Sequence, residues 1–318
     1  MQSGMNRNFW EIRIVGKIIV TGASGQFGHA AALQLLDICA PEDVVCLSRT
    51  PEKLADLAAL GAEIRHADFD DPASLIPAMA GGERMLLIST ARVGTRVGQH
   101  TNAAQAAAAA GVRQIAYTSL INADRAENPA IVKDDHFATE NAIRATGVDF
   151  TFLRDSQYSE AIAMAMAIPA LIHGVKPDNC AEGRVGFVSR DDCVRVAVGV
   201  LTQDGHGNMA YPLTGPEAIS IPEAMAMVAE LAGKPIEVQP VSDEGMFEYF
   251  DSLGVARHAS DIVPDGPIPW SSDDMVTFGT SIREGYFDEV SDWVERITGR
   301  APRSLRSVLE QYQGAWPA

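Results

Sequence analysis

Positive charge is scarce in this sequence. Lysine and arginine total 25 against 42 aspartates and glutamates, a net charge of −17 over 318 residues. Nucleic-acid binding needs clustered Lys and Arg to replace counterions, so that class is excluded. So is docking on an anionic membrane surface. Cysteine is also sparse. Cys39, Cys46, Cys180 and Cys193 form no C-x-x-C pair and read as reduced, buried thiols of a cytosolic protein. Long apolar runs are missing too. The longest, Ala161 to Ile172, is too short to span a bilayer and contains Pro169. The N-terminal stretch MQSGMNRNFWEIRIVG has no continuous apolar segment and no small-residue cleavage site, so no secretory signal is expected. Nor is there a serine-hydrolase elbow, because GASGQ is not G-x-S-x-G. The expectation is a soluble, cytoplasmic protein.

What is present is a hydrophobic fraction of 47%, enough for one large domain or two coupled ones. The chain is organised around GKIIVTGASGQFGHAAALQLL, Gly16 to Leu36. Ile18, Ile19 and Val20 read as a strand buried on both faces. Gly22, Gly25 and Gly28 then follow in G-x-x-G-x-x-G spacing, and Ala30 to Leu36 reads as a helix. Gly22 permits a sharp turn, Gly25 a close approach of backbone N–H groups to a pyrophosphate, and Gly28 tight helix–strand packing. The helix N-terminus would face the phosphates.

Further alternation supports the same layout. A second strand, Val44 to Leu47, ends in Ser48-Arg49-Thr50, about 20 residues past the last glycine, where a dinucleotide fold meets the adenosine ribose. Arg49, with Lys53 one turn on, suits a 2′-phosphate, which favours NADPH over NADH. Thr50 is expected to cap a helix carrying Leu54, Leu57 and Leu60 on one face. Strands are expected at Glu63 to Phe69, Met85 to Ser89, Gln114 to Thr118 and Phe150 to Leu153, with helices at Gln99 to Ala110 and His136 to Ala145. Asp68 and Phe69 are candidates beside the adenine. Ser89, Thr90, Tyr117, Thr118 and Ser119 sit at strand ends, where ligands bind in open α/β sheets. Arg92 and Arg96 lie in the loop between. Six alternations predict a doubly wound parallel sheet.

After Tyr158 the pattern changes. Ala161 to Ile172 reads as a packed helix or pocket wall. Short strands are expected at Gly183 to Val188, Tyr211 to Thr214 and Ile236 to Val241, with a helix at Asp191 to Leu201. Ser220 to Glu223 is a capping box. Two amphipathic tail helices carry Val290, Trp293, Val294 and Ile297, then Leu305, Val308, Leu309 and Tyr312. Ala259 to Trp270, rich in Pro, Gly and Asp, reads as a loop.

TGASGQFG, LSRTPEKL, LLISTARVGTRVGQHTNAAQAAAAAGVRQIAYTSLINAD and FLRDSQYSE together resemble the NmrA-like atypical short-chain dehydrogenase/reductases, and among them the bacterial NAD(P)H:quinone oxidoreductase type 2 group. The resemblance implies a Rossmann-type α/β fold with a small C-terminal α/β substrate domain, NADPH as cofactor, no flavin or metal, and often a homodimer or homotetramer. It assigns the pyrophosphate to Gly22, Ser24, Gln26, Phe27 and Gly28, and the 2′-phosphate to Arg49. It places Ser89 and Thr90 along the cofactor and Tyr117, Thr118 and Ser119 near the nicotinamide. The expected division is an extension over 1–16, a cofactor domain over 17–156 to which 184–215 returns, and a substrate domain from 157–183 and 216–318.

Two departures stand out. The Tyr-x-x-x-Lys dyad of short-chain dehydrogenases is absent, and His136 stands where related isoflavone- and lignan-type reductases carry lysine. Asp155 follows the sixth strand where the quinone reductases tend to carry asparagine, so a carboxylate would alter the field beside the nicotinamide. Candidate proton donors are His136, Tyr117 and Tyr158, since histidine donates near neutral pH. Asp134, Asp135, His136 and Glu140 could be read as a metal cluster, but carboxylates there suit a helix start. Three functions fit: reduction of a quinone or other conjugated aromatic compound by NADPH, lignan-type benzylic ether reduction, and non-catalytic sensing of NADP(H).

Overall fold

The structure, a computed structural model, describes residues 16–90, 93–262 and 270–317. The first half runs β1 (Lys17–Val20), α1 (Gln26–Leu36), β2 (Val44–Ser48), α2 (Ala55–Ala59), β3 (Glu63–His66), α3 (Pro72–Met79), β4 (Gly82–Leu87), α4 (Arg96–Ala109), β5 (Gln114–Leu120), α5 (Val132–Ala145) and β6 (Asp149–Asp155). A wide π-helical turn (Ala161–Met166) leads into α6 (Ala167–His173), then β7 (Val175–Asp178), β8 (Arg184–Val185), α7 (Arg190–Thr202) and β9 (Met209–Leu213). The remainder is β10 (Ile219–Ser220), α8 (Ile221–Ala232), β11 (Glu237–Pro240), α9 (Asp243–Ser252), α10 (Ser272–Arg283), α11 (Trp293–Thr298) and α12 (Leu305–Tyr312).

Seven strands form one sheet in the order β3-β2-β1-β4-β5-β6-β9, parallel throughout. Its strand residues alternate between two cores. Ile18 and Val20 meet α1 and α7, whereas Ile19 points with Val45 and Met85 into the layer of α3, α4 and α5. This is the expected doubly wound fold, with both faces of the sheet buried. A third core joins α6, α8 and α12 with β8 and residues around Phe287. Two small sheets, β10-β8 and β11-β7, brace it.

Several boundaries differ from expectation. β3 ends at His66, because Asp68 and Asp71 already turn the chain into α3. Thr50 makes no side-chain cap, and its own N–H donates to Ser48 Oγ at 3.0 Å. Leu60 is exposed and does not share the buried face of Leu54 and Leu57. Val290 precedes α11 and is exposed. β7, α9 and α10 have no counterpart in the sequence reading. α10, SDDMVTFGTSIR, is rich in weak helix formers; tertiary burial and the Ser271 cap hold it. The capping box at Ser220 and Glu223 is present as expected. All four cysteines are free and buried. Of the proline-rich stretch, residues 263–269 lie outside the described residues, as do the N-terminal 1–15 and Arg92. Among the described residues, no helix is long and apolar enough to cross a membrane.

Candidate active site

The glycine turn is built as its spacing requires. Gly22 takes φ of +58°, a conformation costly for any side chain. Gly25 N–H donates to the Gly22 carbonyl at 2.9 Å. A Cβ on Gly28 would fall 2.4 Å from Gly22 O, so only glycine lets α1 cross here. α1 begins with no side-chain cap and no acidic residue in its first turn. Its free N–H groups and positive dipole end therefore lie open beside exposed Ser24, Gly25 and Gln26. That is the donor set a dinucleotide pyrophosphate needs. Phe27 departs from expectation, because its ring is buried in the α1–α7 core and only its backbone is available. At the tip of β2, Ser48 Oγ donates to Ser24 Oγ at 3.3 Å, tying the two loops together. Arg49 and Lys53 are both exposed there. Asp68 accepts from Asp70 N–H at 3.0 Å, and Phe69 is half-buried against the α3–α4 core.

The ends of β4 and β5 interlock. Ser89 N–H donates to Thr118 Oγ1 at 2.8 Å, and Thr90 N–H to His100 Nε2 at 3.1 Å. His100 Nδ1 therefore carries the proton and gives it to Thr139 Oγ1 at 2.9 Å, since the Thr139 hydroxyl itself donates to Asp135 O. Burial, with Arg96 nearby, drops the His100 pKa to about 3. Arg96 is itself buried. Its guanidinium donates to Ser89 Oγ at 3.1 Å and to His136 Nε2 at 3.2 Å, and lies 3.4 Å from the Asp135 carboxylate. His136 then turns its Nδ1–H to Tyr117 Oη, 2.9 Å away.

This arrangement corrects the expected role of His136. It lies one turn inside α5, not at its start, and bonds Arg96 and Tyr117, not Asp134 or Asp135. Burial first, then Arg96 and His100, holds its pKa well below the ordinary histidine value. It is a neutral imidazole at pH 7, so it supplies no imidazolium proton. Burial likewise raises Tyr117. Ser119 is not turned to the crevice either, because its hydroxyl donates to Glu140 Oε1 at 2.8 Å. The four residues of the conceivable metal cluster diverge: Asp134 pairs with Lys133, Asp135 with Arg96 and Gly94 N–H, and Glu140 with Arg144 and Arg154. His136→Ala should strip two buried partners and cost about 2–4 kcal/mol in urea unfolding; a loss below about 1 kcal/mol would show that the chain from Arg96 to Tyr117 is not a structural unit.

At the end of β6, Tyr158 Oη donates to Asp155 Oδ2 at 2.6 Å. Burial lifts the Asp155 carboxyl to about 7 against the pull of the Tyr158 hydroxyl and of the Cys193 thiol beside it. Burial, then the Asp155 charge, pushes the Tyr158 phenol well above its ordinary value. Asp155 Oδ1, Gln157 Oε1 and the hydroxyls of Ser156 and Ser159 are buried without a hydrogen-bond partner among the described residues. Arg190, at the start of α7, lies 5.5 Å over the Tyr158 ring and donates to Gln26 Oε1 at 2.6 Å. It thereby links the glycine turn to the end of β6. Glu160 caps the same region by accepting from Arg190 N–H. A polar cleft of about 510 Å³ opens here, lined by Gln26, Glu160, Arg190, Arg303 and Tyr312 among others.

His100, Glu160, Arg190 and Cys193 are site neighbours that the sequence motifs do not single out, and Arg96, expected in a loop, opens α4. The i, i+4 spacing of Arg96 and His100, continued by buried Ala103, Ala104 and Ala107, was a usable signal. It placed both polar residues on the face that α4 turns inward.

A sequence profile described as NAD(P)H-binding matches residues 22–204, from the glycine turn to the end of α7. The chain belongs to the NAD(P)H-binding, NmrA-like reductases. It is 36% identical to quinone oxidoreductase 2 of Escherichia coli over 79% of this chain and 87% of that protein. The crystal structure of the NADPH-dependent quinone oxidoreductase from E. coli complexed with NADPH superposes with a TM-score of 0.84 at 32% identity, covering 92% of this chain and 99% of that one. The triphenylmethane reductase of Citrobacter complexed with NADP(H) superposes at 0.81 and 30% identity, covering 93% and 100%. Membership makes the protein an NAD(P)H-dependent oxidoreductase, and NAD(P)H fits the uncapped α1 terminus and the glycine cradle described above.

Proposed function

We propose that the protein reduces a quinone or another conjugated, aromatic small molecule with NADPH, using neither flavin nor metal. The observation that carries it is the pairing of an open, uncapped α1 N-terminus with an exposed arginine at the tip of β2. The first suits a pyrophosphate and the second a 2′-phosphate. The similarity to a quinone reductase and a triphenylmethane reductase supports a planar, conjugated acceptor.

When bound, NADPH supplies a hydride, and the protein contributes position and electrostatics. Gly22, Ser24, Gly25, Gln26 and the backbone at Phe27 and Gly28 would hold the pyrophosphate. Arg49, with Lys53 beside it, would hold the 2′-phosphate, and Asp68 and Phe69 would border the adenine. Ser89, Thr90 and Thr118 would flank the ring end, fixed by their bonds to each other and to His100. Arg96, His136 and Tyr117 lock the floor beneath. Of the three donors first considered, Tyr158 alone holds its proton on a carboxyl, Asp155, and not within that closed chain. In this reading 17–156 with 184–215 binds the cofactor, and 157–183 with 216–318 shapes the acceptor pocket.

The test is loss of reduced-cofactor absorbance with NADPH or NADH, against quinones, enones, aromatic dyes and lignan-like ethers, with protein free of flavin absorbance and treated with chelator. Turnover on quinones or dyes supports the proposal. Turnover only on lignan-like ethers, or tight NADPH binding without turnover on any acceptor, favours the ether reductase or the sensor instead. Arg49→Ala should weaken NADPH about 10- to 100-fold, the worth of a charge-assisted bidentate contact, and leave NADH nearly unchanged. Equal losses for both dinucleotides would remove Arg49 from the 2′-phosphate.

A further inference from the structure

The strand order reverses between β1 and β4, and dinucleotides lie across such a point. With the adenosine end at Arg49 over β2, the ring end extends toward the carboxyl ends of β4, β5 and β6. Asp155 is the last residue of β6. Its side chain is buried, with one oxygen taken by Tyr158 and the other, Oδ1, without a hydrogen-bond partner among the described residues. Three more buried polar atoms of the same segment, Ser156 Oγ, Gln157 Oε1 and Ser159 Oγ, also lack hydrogen-bond partners among the described residues. Buried polar atoms are nearly always satisfied, so four orphans in five residues mark a place that a polar ligand completes.

The charges around Asp155 are few. β5 and β9, its neighbours in the sheet, contribute no charged side chain. From its own segment comes Tyr158, with Glu160 further on, and from α7 come Cys193 and Arg190. Arg190 directs its guanidinium to Gln26 and the Tyr158 ring, and Glu160 accepts from the Arg190 backbone. No ion pair to Asp155 is present among the described residues. A charge here would therefore be weakly compensated from within the protein.

We propose that Asp155 couples the choice between oxidised and reduced dinucleotide to a proton: as a carboxylate it favours the oxidised nicotinamide, which carries a positive charge, and as a neutral acid it does not. The inference rests on the NADPH reading above. The proton balance is simple. The protein with Asp155 protonated binds NADP⁺ and releases one proton to solvent, whereas NADPH, with a neutral ring, binds without that release. Burial that lifts the carboxyl to about 7 places this exchange in the physiological range.

The experiment measures Kd for NADP⁺ and NADPH from pH 6 to 8.5, by fluorescence and calorimetry without any acceptor. Both ligands carry the same 2′-phosphate, so its own titration cancels in the ratio of the two constants. In the wild type, Kd for NADP⁺ relative to NADPH should fall about fivefold or more across this range, as the bound positive ring pulls the carboxyl pKa down. In Asp155→Asn the ratio should be flat. A flat ratio in the wild type, or an unchanged slope in Asp155→Asn, overturns the inference. Should Asp155→Asn not fold, Tyr158→Phe decides. It removes a donor that favours the carboxylate, so the same fall should move to higher pH, and an unmoved fall overturns the inference. Failure of both dinucleotides to bind at every pH defeats the NADPH reading itself, and the inference with it.

Discussion

Gly28→Ala should lower NADPH affinity by at least about a hundredfold. The added methyl would sit 2.4 Å from Gly22 O, 2.8 Å from Gly22 C and 3.0 Å from Ala23 Cα. All three are backbone atoms, so no side chain can rotate aside. Either α1 slides outward or the turn opens, and both displace the uncapped N–H groups from the turn that faces them. Misplacement of such donors by about an ångström typically costs two orders of magnitude. Overpacking adds about 1–3 kcal/mol of lost stability. Two other glycines serve as controls. A Cβ at Gly25 meets only Gly22 O, at 3.3 Å, so the crossing of α1 over the turn should survive there. At Gly98, inside α4, no described residue lies within 4 Å of an added Cβ, and alanine should be neutral or stabilising by up to about 1 kcal/mol. Fluorescence titration and thermal melts of the three variants check this. Wild-type NADPH affinity in Gly28→Ala would mean that this turn does not cradle the phosphates.

The fold was legible because its signals are local. Ile18, Ile19 and Val20 can be buried only on both faces, and the glycine spacing that follows dictates a turn and a helix start. The strand-end positions of Ser48, Arg49, Ser89 and Asp155 follow from the same alternation. What could not be read is what long-range packing decides. Phe27 sits among residues expected at the pyrophosphate, yet its ring completes the α1–α7 core. Val290 fits the apolar stripe of α11, but the helix starts only at Trp293. α10 lacks helix propensity and forms because Ser271 caps it and its inner face is covered.

The chemistry divided along the same line. His136 was visible as a titratable side chain where a relative carries lysine. Its neutrality was not, because that depends on Arg96, forty residues earlier in the chain, being buried against Nε2. A buried imidazole that must accept from a guanidinium cannot also hold a second proton. Asp274 shows the converse. Nothing in its surroundings in sequence distinguishes it, yet α10 buries it near Arg96 and Asp135, and burial lifts its carboxyl to about 6. Its Oδ1 has no hydrogen-bond partner among the described residues. The candidate centre thus has two differently built sides. Toward α4 and α5 the polar groups are interlocked, with Asp274 Oδ1 the exception. Toward β6 and α7, atoms remain open, and the ligand-dependent chemistry is expected on that side.

Glu140→Ala should cost about 3–5 kcal/mol of stability, the largest loss expected from any single side chain on the interlocked side. The carboxylate is fully buried. Its Oε1 accepts from Ser119 Oγ at 2.8 Å and Arg154 Nε at 3.0 Å. Its Oε2 accepts from Arg154 at 2.8 Å and Arg144 at 3.1 Å. One side chain thereby ties α5 to β5 and β6 just before Asp155. Alanine would leave the Arg154 guanidinium largely enclosed with only the more exposed Asp124 as a partner, 2.9 Å away. An uncompensated buried charge is worse than no charge at all. Glu140→Ala/Arg154→Met should therefore recover much of the loss, whereas additivity of the two changes would exclude coupling between them. Urea unfolding of the three proteins measures this. A loss below about 1 kcal/mol in Glu140→Ala would show that water or a shifted Asp124 already satisfies Arg154, and that the ends of β5 and β6 do not depend on Glu140.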